Sequence, residues 1–160
     1  MGIIPADIFF ENIEQLISEG KDVEVRCFGG SMNPYLRGDG SEALVVSPFS
    51  PEELTPGAIV AFCYQGKYLC HRIIRRDGEK LLIQGDGLIK EQEQVLVSDI
   101  IGIVRTVIRR NGKPVSTQSK MARLYWRCWS FLSPIQKYLL FFYRVMCKIK
   151  VLLHKFATTK

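Results

Sequence analysis

The chain of 160 residues lacks the features of several common protein classes. Its five cysteines are an odd number and form no C-x-x-C pair, which argues against a disulfide framework and favours a reducing compartment. No internal repeat or low-complexity segment occurs. Residues 1–10 contain no charged leading segment, no long apolar run and no small-residue cleavage site. We therefore expect no cleavable signal peptide.

Acidic residues are missing from the last third of the chain. Residues 1–112 carry 12 Lys and Arg against all 16 acidic residues, whereas residues 113–160 carry 10 cations and no acid. An electrostatic partner, either a membrane surface or nucleic acid, is therefore expected at the C-terminal end. The chain of 160 residues fits one domain, and its 47% hydrophobic residues can supply a real core.

Residues 29–39 form the most distinctive stretch, G-G-S-M-N-P-Y-L-R-G-D, which contains Ser31. Apolar residues alternate at positions 23, 25 and 27, which predicts that a strand leads into it. Gly29 and Gly30 permit unusual dihedral angles, and Pro34 fixes φ, so Ser31 is expected on a constrained turn. Such a serine is either an ordinary turn or cap residue, or a nucleophile whose hydroxyl points outward.

A serine nucleophile needs a base, and the chain has only two histidines. His71 lies within a strand-like run at residues 67–74, and the sequence Gly-Asp-Gly follows at residues 85–87. Taken alone, His71 fits a core histidine and Asp86 fits a turn residue. A metal site at Cys63, Cys70 and His71 is a further alternative, but the paired ligand spacing of zinc sites is missing.

Four motifs in order resemble the signal peptidase I family: G-x-S-M-x-P-x-L-x-x-G-D, P-G-x-I-V-x-F, H-R-I and G-D. The resemblance covers residues 25–107 and is greatest to the endoplasmic-reticulum-type branch, which carries histidine where bacterial housekeeping enzymes carry lysine. It implies that Ser31 is the nucleophile, His71 the general base and Asp86 the acidic residue. It also implies oxyanion or structural roles beside the nucleophile for Gly30, Met32 and Pro34.

The sequence departs from the family pattern at several positions. Ala58 replaces the usual aspartate of G-D-I-V, and Gly29 stands where some bacterial members donate a hydroxyl to the oxyanion. The oxyanion would therefore depend on backbone N–H groups, chiefly that of Ser31. Endoplasmic-reticulum-type members often have a second acid beyond the G-D box, for which Glu91 is the candidate here, so the third catalytic member is either Asp86 or Glu91. The membrane anchor with which most members begin is not seen.

The predicted fold is mainly β: a signal-peptidase-like β domain with a short N-terminal helix and a C-terminal basic amphipathic helical tail. We expect residues 1–20 to form a helix packed on the core, residues 21–118 the β catalytic domain, and residues 119–160 the tail. Strands are expected at residues 44–46, 59–64, 67–75, 80–84 and within 95–107. Turns are expected at residues 65–66 and 110–113.

Residues 135–156 of the tail predict a helix about 33 Å long. Its cations disfavour a position across the bilayer, so we expect the helix to lie in the membrane surface. The alternatives are packing against the β domain or against another chain. Nucleic acid binding is less favoured, because the cations lie among bulky aliphatic residues rather than on a polar basic face. The expected membrane-contact residues are Trp126, Trp129, Lys137, Arg144, Lys148 and Lys155.

Together these patterns predict a serine endopeptidase that cleaves leader or signal segments of peptide precursors. It would need neither cofactor nor metal and would act at a membrane, on its cytoplasmic face. By resemblance, small residues are preferred before the cleaved bond. A self-cleaving repressor peptidase shares the serine box, but it uses lysine as base and carries a DNA-binding domain for which residues 1–20 leave no room. The non-enzymatic alternative is a degenerate peptidase fold kept as a membrane-surface or peptide-binding module.

Overall fold

The computed structural model describes the backbone of residues 6–158 and the side chains of residues 12–149. It is mainly β, with a short N-terminal helix and a helical C-terminal end, which confirms the coarse fold expected from the sequence. The helices are α1 (Ala6–Ser18), α2 (Lys120–Phe131) and α3 (Gln136–Thr158). The strands are β1 (Val23–Phe28), β2 (Asp39–Ser47), β3 (Ile59–Tyr64), β4 (Lys67–Asp77), β5 (Lys80–Gln84), β6 (Glu93–Leu96), β7 (Ile100–Ile108) and β8 (Pro114–Ser116).

The described strands form one antiparallel sheet in the order β1-β2-β7-β3-β4-β5-β6, with β8 paired to β7. The β3–β4 hairpin turns at Gln65 and Gly66, whose φ angles of 50° and 72° are both positive. Two consecutive positive φ angles suit the right-handed twist of a tight hairpin. This turn matches the position expected from the sequence.

Alternation along the strands sends apolar side chains to two cores. The first contains Leu36, Leu44, Val46, Ile59 and Val104, and Ile13 and Ile17 of α1 pack into it. The second contains Val60, Phe62, Ile73, Leu81 and Ile83. Because Ile59 and Val60 are neighbours in β3 yet belong to different cores, the two clusters lie on opposite faces of the sheet.

Helices α2 and α3 pack part of their surface against the sheet domain. Ser119 caps α2 by accepting a hydrogen bond from the Ala122 N–H, at 3.2 Å. Ala122, Trp129 and Leu140 are buried. No helix of the described part of the chain combines the length and apolarity that a membrane crossing requires.

The residues expected to contact a membrane therefore divide into two groups. Trp129 is only 7% exposed, and Trp126 lies against Gly57 and the Arg72 guanidinium. Protein atoms therefore cover Trp129, whereas Trp126 is half-buried, with one side of its indole on Gly57 and Arg72. Lys137, Arg144 and Lys148 are exposed. The side chain of Lys155 lies outside the described residues.

Candidate active site

Ser31 lies in a turn, residues 29–38, that the core holds at several points. The Gly29 N–H donates to the Gly38 carbonyl at 2.9 Å, which closes the turn after β1. Met32 and Leu36 anchor it, with exposures of 2% and 0%. Ser31 itself is partly exposed, as is Pro34, while Gly30 is exposed. The turn thus keeps its apolar side chains in the core and leaves Ser31 at the surface.

The loop of Gly85, Asp86 and Gly87 packs directly on the backbone of the Ser31 turn. The Gly87 N–H donates to the Ser31 carbonyl at 2.7 Å. A Cβ at Gly85 would lie 2.4 Å from the Ser31 carbonyl oxygen and 3.2 Å from Cδ2 of His71. Only glycine fits there, because no real Cβ makes a contact of 2.4 Å with an oxygen atom. The Ser31 carbonyl oxygen and Cδ2 of His71 therefore both lie within 3.2 Å of one point beside the Gly85 backbone, so the two residues meet at this glycine.

His71 in β4 is buried and has one acidic partner. Its Nδ1 lies 3.2 Å from Oε2 of Glu93, and its ring makes an edge contact with Phe62, with centroids 5.9 Å apart. A carboxylate at Nδ1 favours the tautomer that carries hydrogen there, which leaves the Nε2 lone pair available. Nε2 is buried and has no hydrogen-bond partner among the described residues.

Strand register explains how Glu93 reaches His71. Ile73 of β4 pairs with Ile83 of β5, which in turn pairs with Glu93 of β6. His71 is two residues before Ile73, so it shares the face on which Glu93 lies. Glu91 precedes β6 and is exposed. The sequence interpretation missed Glu93, although the alternation of Glu93 and Val95 is a signal that both residues point inward.

Asp86 differs from the expectation that it orients the imidazole. Both of its carboxylate oxygens accept hydrogen bonds from Arg72, from Nε at 2.8 Å and from Nη2 at 2.7 Å. Arg72 follows His71 in β4 and therefore faces the opposite side of the sheet. The Asp86 carboxylate is committed to that side, so the acid at the imidazole is Glu93.

The Arg72–Asp86 pair is almost fully enclosed, with side-chain exposures of 2% and 1%. Tyr35, Tyr125 and Trp126 surround the guanidinium, with ring centroids 4.9, 5.9 and 5.2 Å from Cζ. Burial acts to lower the pKa of Arg72, but the hydrogen bond and the charge of Asp86, with smaller contributions from Tyr35 and Tyr125, together outweigh it and raise the pKa. Burial also raises the pKa of Tyr125.

The Ser31 hydroxyl is not hydrogen-bonded to His71 in this structure, since Nε2 has no partner. The Ser31 N–H likewise donates to no acceptor among the described residues. A ring nitrogen without a partner therefore belongs to an imidazole that meets the Ser31 backbone at Gly85, and Ser31 itself carries an unoccupied backbone donor. Catalytic hydrogen bonds in unliganded enzymes are often long and tighten with substrate.

An apolar groove of about 450 Å³ lies between β1 and β4. Edge strand β1 forms one wall, and Tyr68, Leu69 and Cys70 of β4 form part of the other. Since all neighbours in the order β1-β2-β7-β3-β4 are antiparallel, β1 and β4 run in the same direction. Ser31 follows β1, and His71 follows Cys70, so both lie at the same end of the groove.

The chemistry of the site has to be inferred from its own residues. Within the described side chains, no three His, Cys, Asp or Glu residues cluster as metal ligands would, so Cys63, Cys70 and His71 do not form such a group. No protein-family model, no curated protein and no solved structure matches the chain.

Proposed function

We propose that the chain is a serine endopeptidase of the signal peptidase I type, with the corresponding β fold. The observation that carries the proposal is His71, which Glu93 contacts at Nδ1, whose Nε2 has no partner among the described residues, and whose ring meets the Ser31 backbone at Gly85. A buried imidazole with one satisfied nitrogen and one open nitrogen next to a surface serine suits a general base. The motif order in the sequence supports the same assignment.

In the proposed reaction, Ser31 Oγ attacks the scissile carbonyl carbon while its proton passes to His71 Nε2. The carbonyl electron pair moves onto oxygen, where the Ser31 N–H donates to it. Collapse of this intermediate breaks the C–N bond, and Nε2 returns the proton to the leaving amine. A water molecule then attacks the ester between Ser31 and the peptide while its proton passes to Nε2. The peptide leaves as the carboxylic acid, and the proton returns to Ser31 Oγ. Glu93 stabilises the transient imidazolium through Nδ1.

The groove indicates the class of substrate. It is apolar and bordered by β1, an edge strand that, among the described strands, pairs with β2 alone. An extended peptide can add main-chain hydrogen bonds at such an edge and place alternate side chains in the groove. An apolar leader or signal segment of a precursor fits these demands, and the resemblance implies small residues before the cleaved bond.

A serine-directed fluorophosphonate probe tests the enzyme proposal. The wild-type protein should be labelled, and Ser31→Ala and His71→Ala should not be. Ser98→Ala is the matched control, because Ser98 is exposed and lies outside the site. Labelling that persists in Ser31→Ala, or fails in folded wild-type protein, would overturn the assignment.

The second candidate function is a peptide-binding module on a degenerate peptidase fold. The observation that favours it is the missing hydrogen bond between Ser31 Oγ and Nε2. This candidate predicts that an apolar precursor peptide binds the wild-type protein and Ser31→Ala with equal affinity, with no cleavage by either. Cleavage that depends on Ser31 would exclude it.

We also propose that the tail contacts an anionic membrane surface. Large apolar side chains exposed on α2 and α3 include Leu124, Phe131, Phe141, Phe142, Met146 and Ile149. Exposed cations lie among them, and residues 113–160 contain no acid to repel anionic lipid. Apolar and cationic side chains on one helical surface are typical of interfacial helices.

Co-sedimentation with phosphatidylserine vesicles tests this contact. The wild-type protein should pellet with these vesicles and much less with neutral phosphatidylcholine vesicles. Replacing both Phe141 and Phe142 with serine should abolish pelleting. Phe28→Ser on β1 is the control, because Phe28 is 73% exposed but distant in sequence from the tail. Equal pelleting of the double variant and the wild type would contradict the proposal.

A further inference from the structure

The loop at residues 85–87 receives two hydrogen bonds from the tail. Trp129 Nε1 donates to the Asp86 carbonyl at 3.2 Å, and Arg144 Nη2 donates to the Gly87 carbonyl at 3.1 Å. The same loop donates the Gly87 N–H to the Ser31 carbonyl at 2.7 Å. Three hydrogen bonds therefore connect α2 and α3 to the backbone of Ser31.

Aromatic packing fixes the indole independently of that loop. Trp129 is stacked on Tyr125, with centroids 6.2 Å apart and planes 9° apart. Tyr125 in turn lies 5.0 Å from Tyr35, which belongs to the Ser31 turn. Because Tyr125 and Trp129 are one helical turn apart, α2 presents both rings to the site together. The indole N–H is thus already oriented when it meets the Asp86 carbonyl.

We propose that Trp129 and Arg144 are positioning residues, which hold the 85–87 loop and thereby the Ser31 backbone against His71. This inference rests on the proposed function for its catalytic consequence, although the mechanical link does not. The loop has no slack, since a Cβ at Gly87 would lie 2.6 Å from the Gly30 carbonyl oxygen. A displacement of the loop is therefore passed to the Ser31 turn, where about 1 Å can cost about 10²-fold in rate.

Hydrogen exchange tests the mechanical link in the full chain. Trp129→Phe keeps the ring and removes the donor, and Arg144→Met removes the other donor. Each variant should speed exchange of the Gly87 amide by about three- to tenfold, the effect of losing one hydrogen bond. Lys148→Met, one turn beyond Arg144 and exposed, is the matched control and should leave exchange unchanged. Unchanged exchange in both donor variants would overturn the proposal.

Probe kinetics test the catalytic consequence. The double variant of Trp129→Phe and Arg144→Met should react with the fluorophosphonate about tenfold more slowly, yet reach the same labelled end-point. Combining Trp129→Phe with Arg144→Lys, which keeps a donor, should give a labelling rate between that of the double variant and that of the wild type. A lowered end-point at an unchanged rate would mean lost folded protein and would contradict positioning. If wild-type protein does not react at all, the proposed function fails, and hydrogen exchange alone decides whether the tail holds the loop.

Discussion

His71 and Arg72 are neighbours in β4, both buried, yet their surroundings on the two faces of the sheet differ. Each has a carboxylate partner, Glu93 for His71 and Asp86 for Arg72. Arg72 uses three of its nitrogens, since Nη1 also donates to the Gly57 carbonyl at 2.8 Å. His71 uses one nitrogen, and no described residue partners its Nε2.

The difference separates a structural role from a chemical one. A buried cation whose three nitrogens all donate holds its partners in place but has no lone pair for a reaction, and it is costly to leave without its counter-charge. A buried polar atom without a partner costs free energy, of about 1 to 3 kcal/mol, and a catalytic role is one reason for keeping it. Removing one carboxylate from each face tests this difference, and an ion pair at the surface serves as the reference.

Asp86→Asn should produce the largest effect, on stability. It leaves the Arg72 guanidinium enclosed by aromatic rings without a counter-charge, which should lower the free energy of unfolding by about 3 to 5 kcal/mol. Urea denaturation followed by circular dichroism measures this change. Asp77→Asn is the control. Asp77 is exposed at the end of β4, the strand that contains Arg72, and its replacement should change stability by less than about 0.5 kcal/mol.

A paired replacement distinguishes a stranded charge from lost packing. If the charge is the cause, Arg72→Met combined with Asp86→Leu should lose less stability than Asp86→Asn alone, because both charges are then removed. An Asp86→Asn protein with the wild-type urea midpoint would show that the ion pair contributes little.

Glu93→Gln should mainly affect reactivity. The side chain keeps its size, but the amide no longer holds hydrogen on Nδ1 or stabilises the imidazolium, so the rate of probe labelling should fall about 10²-fold, or ~2.7 kcal/mol. The nitrogen shifts of His71 in NMR spectra report the tautomer directly. Glu91→Gln is the control, since Glu91 is exposed. If Glu91→Gln were labelled slowly and Glu93→Gln at the wild-type rate, Glu91 rather than Glu93 would be the acid that acts on His71.

The parts of this site that the sequence could predict are those governed by local rules. Strand alternation placed His71 and Arg72 on opposite faces, and turn chemistry located the β3–β4 hairpin at Gln65 and Gly66. Neither rule identifies a partner across strands. Glu93 reaches His71 only because of the register that joins Ile73 to Ile83 and Ile83 to Glu93. A shift of one residue would have turned Glu93 to the opposite face.

The tail shows the same limit for helices. Its apolar periodicity indicated that one surface is covered, but the pattern is identical whether lipid or protein covers it. Trp126 and Trp129 were expected at a membrane, and the structure packs them on Gly57, Arg72 and the Asp86 carbonyl. What decides between the two is the shape of the β domain, and residues far apart in sequence create that shape.

The pair of Arg105 and Glu53 gives the surface reference and the smallest expected effect. Its two hydrogen bonds are 2.6 and 3.0 Å long, but the side chains are 36% and 31% exposed. Solvent screening therefore limits its contribution to below about 1 kcal/mol.

The hydrogen bond from Arg105 lowers the pKa of Glu53 from its ordinary 4.5. The contribution is thus present above pH 4.5 and is lost as the pH falls through the lowered pKa. Glu53→Gln should consequently be slightly less stable than wild type at pH 7 and equally stable well below pH 4, as measured by urea denaturation at both pH values. A difference that persists in acid would attribute the effect to packing, and a loss as large as that of Asp86→Asn would remove the contrast between buried and exposed pairs.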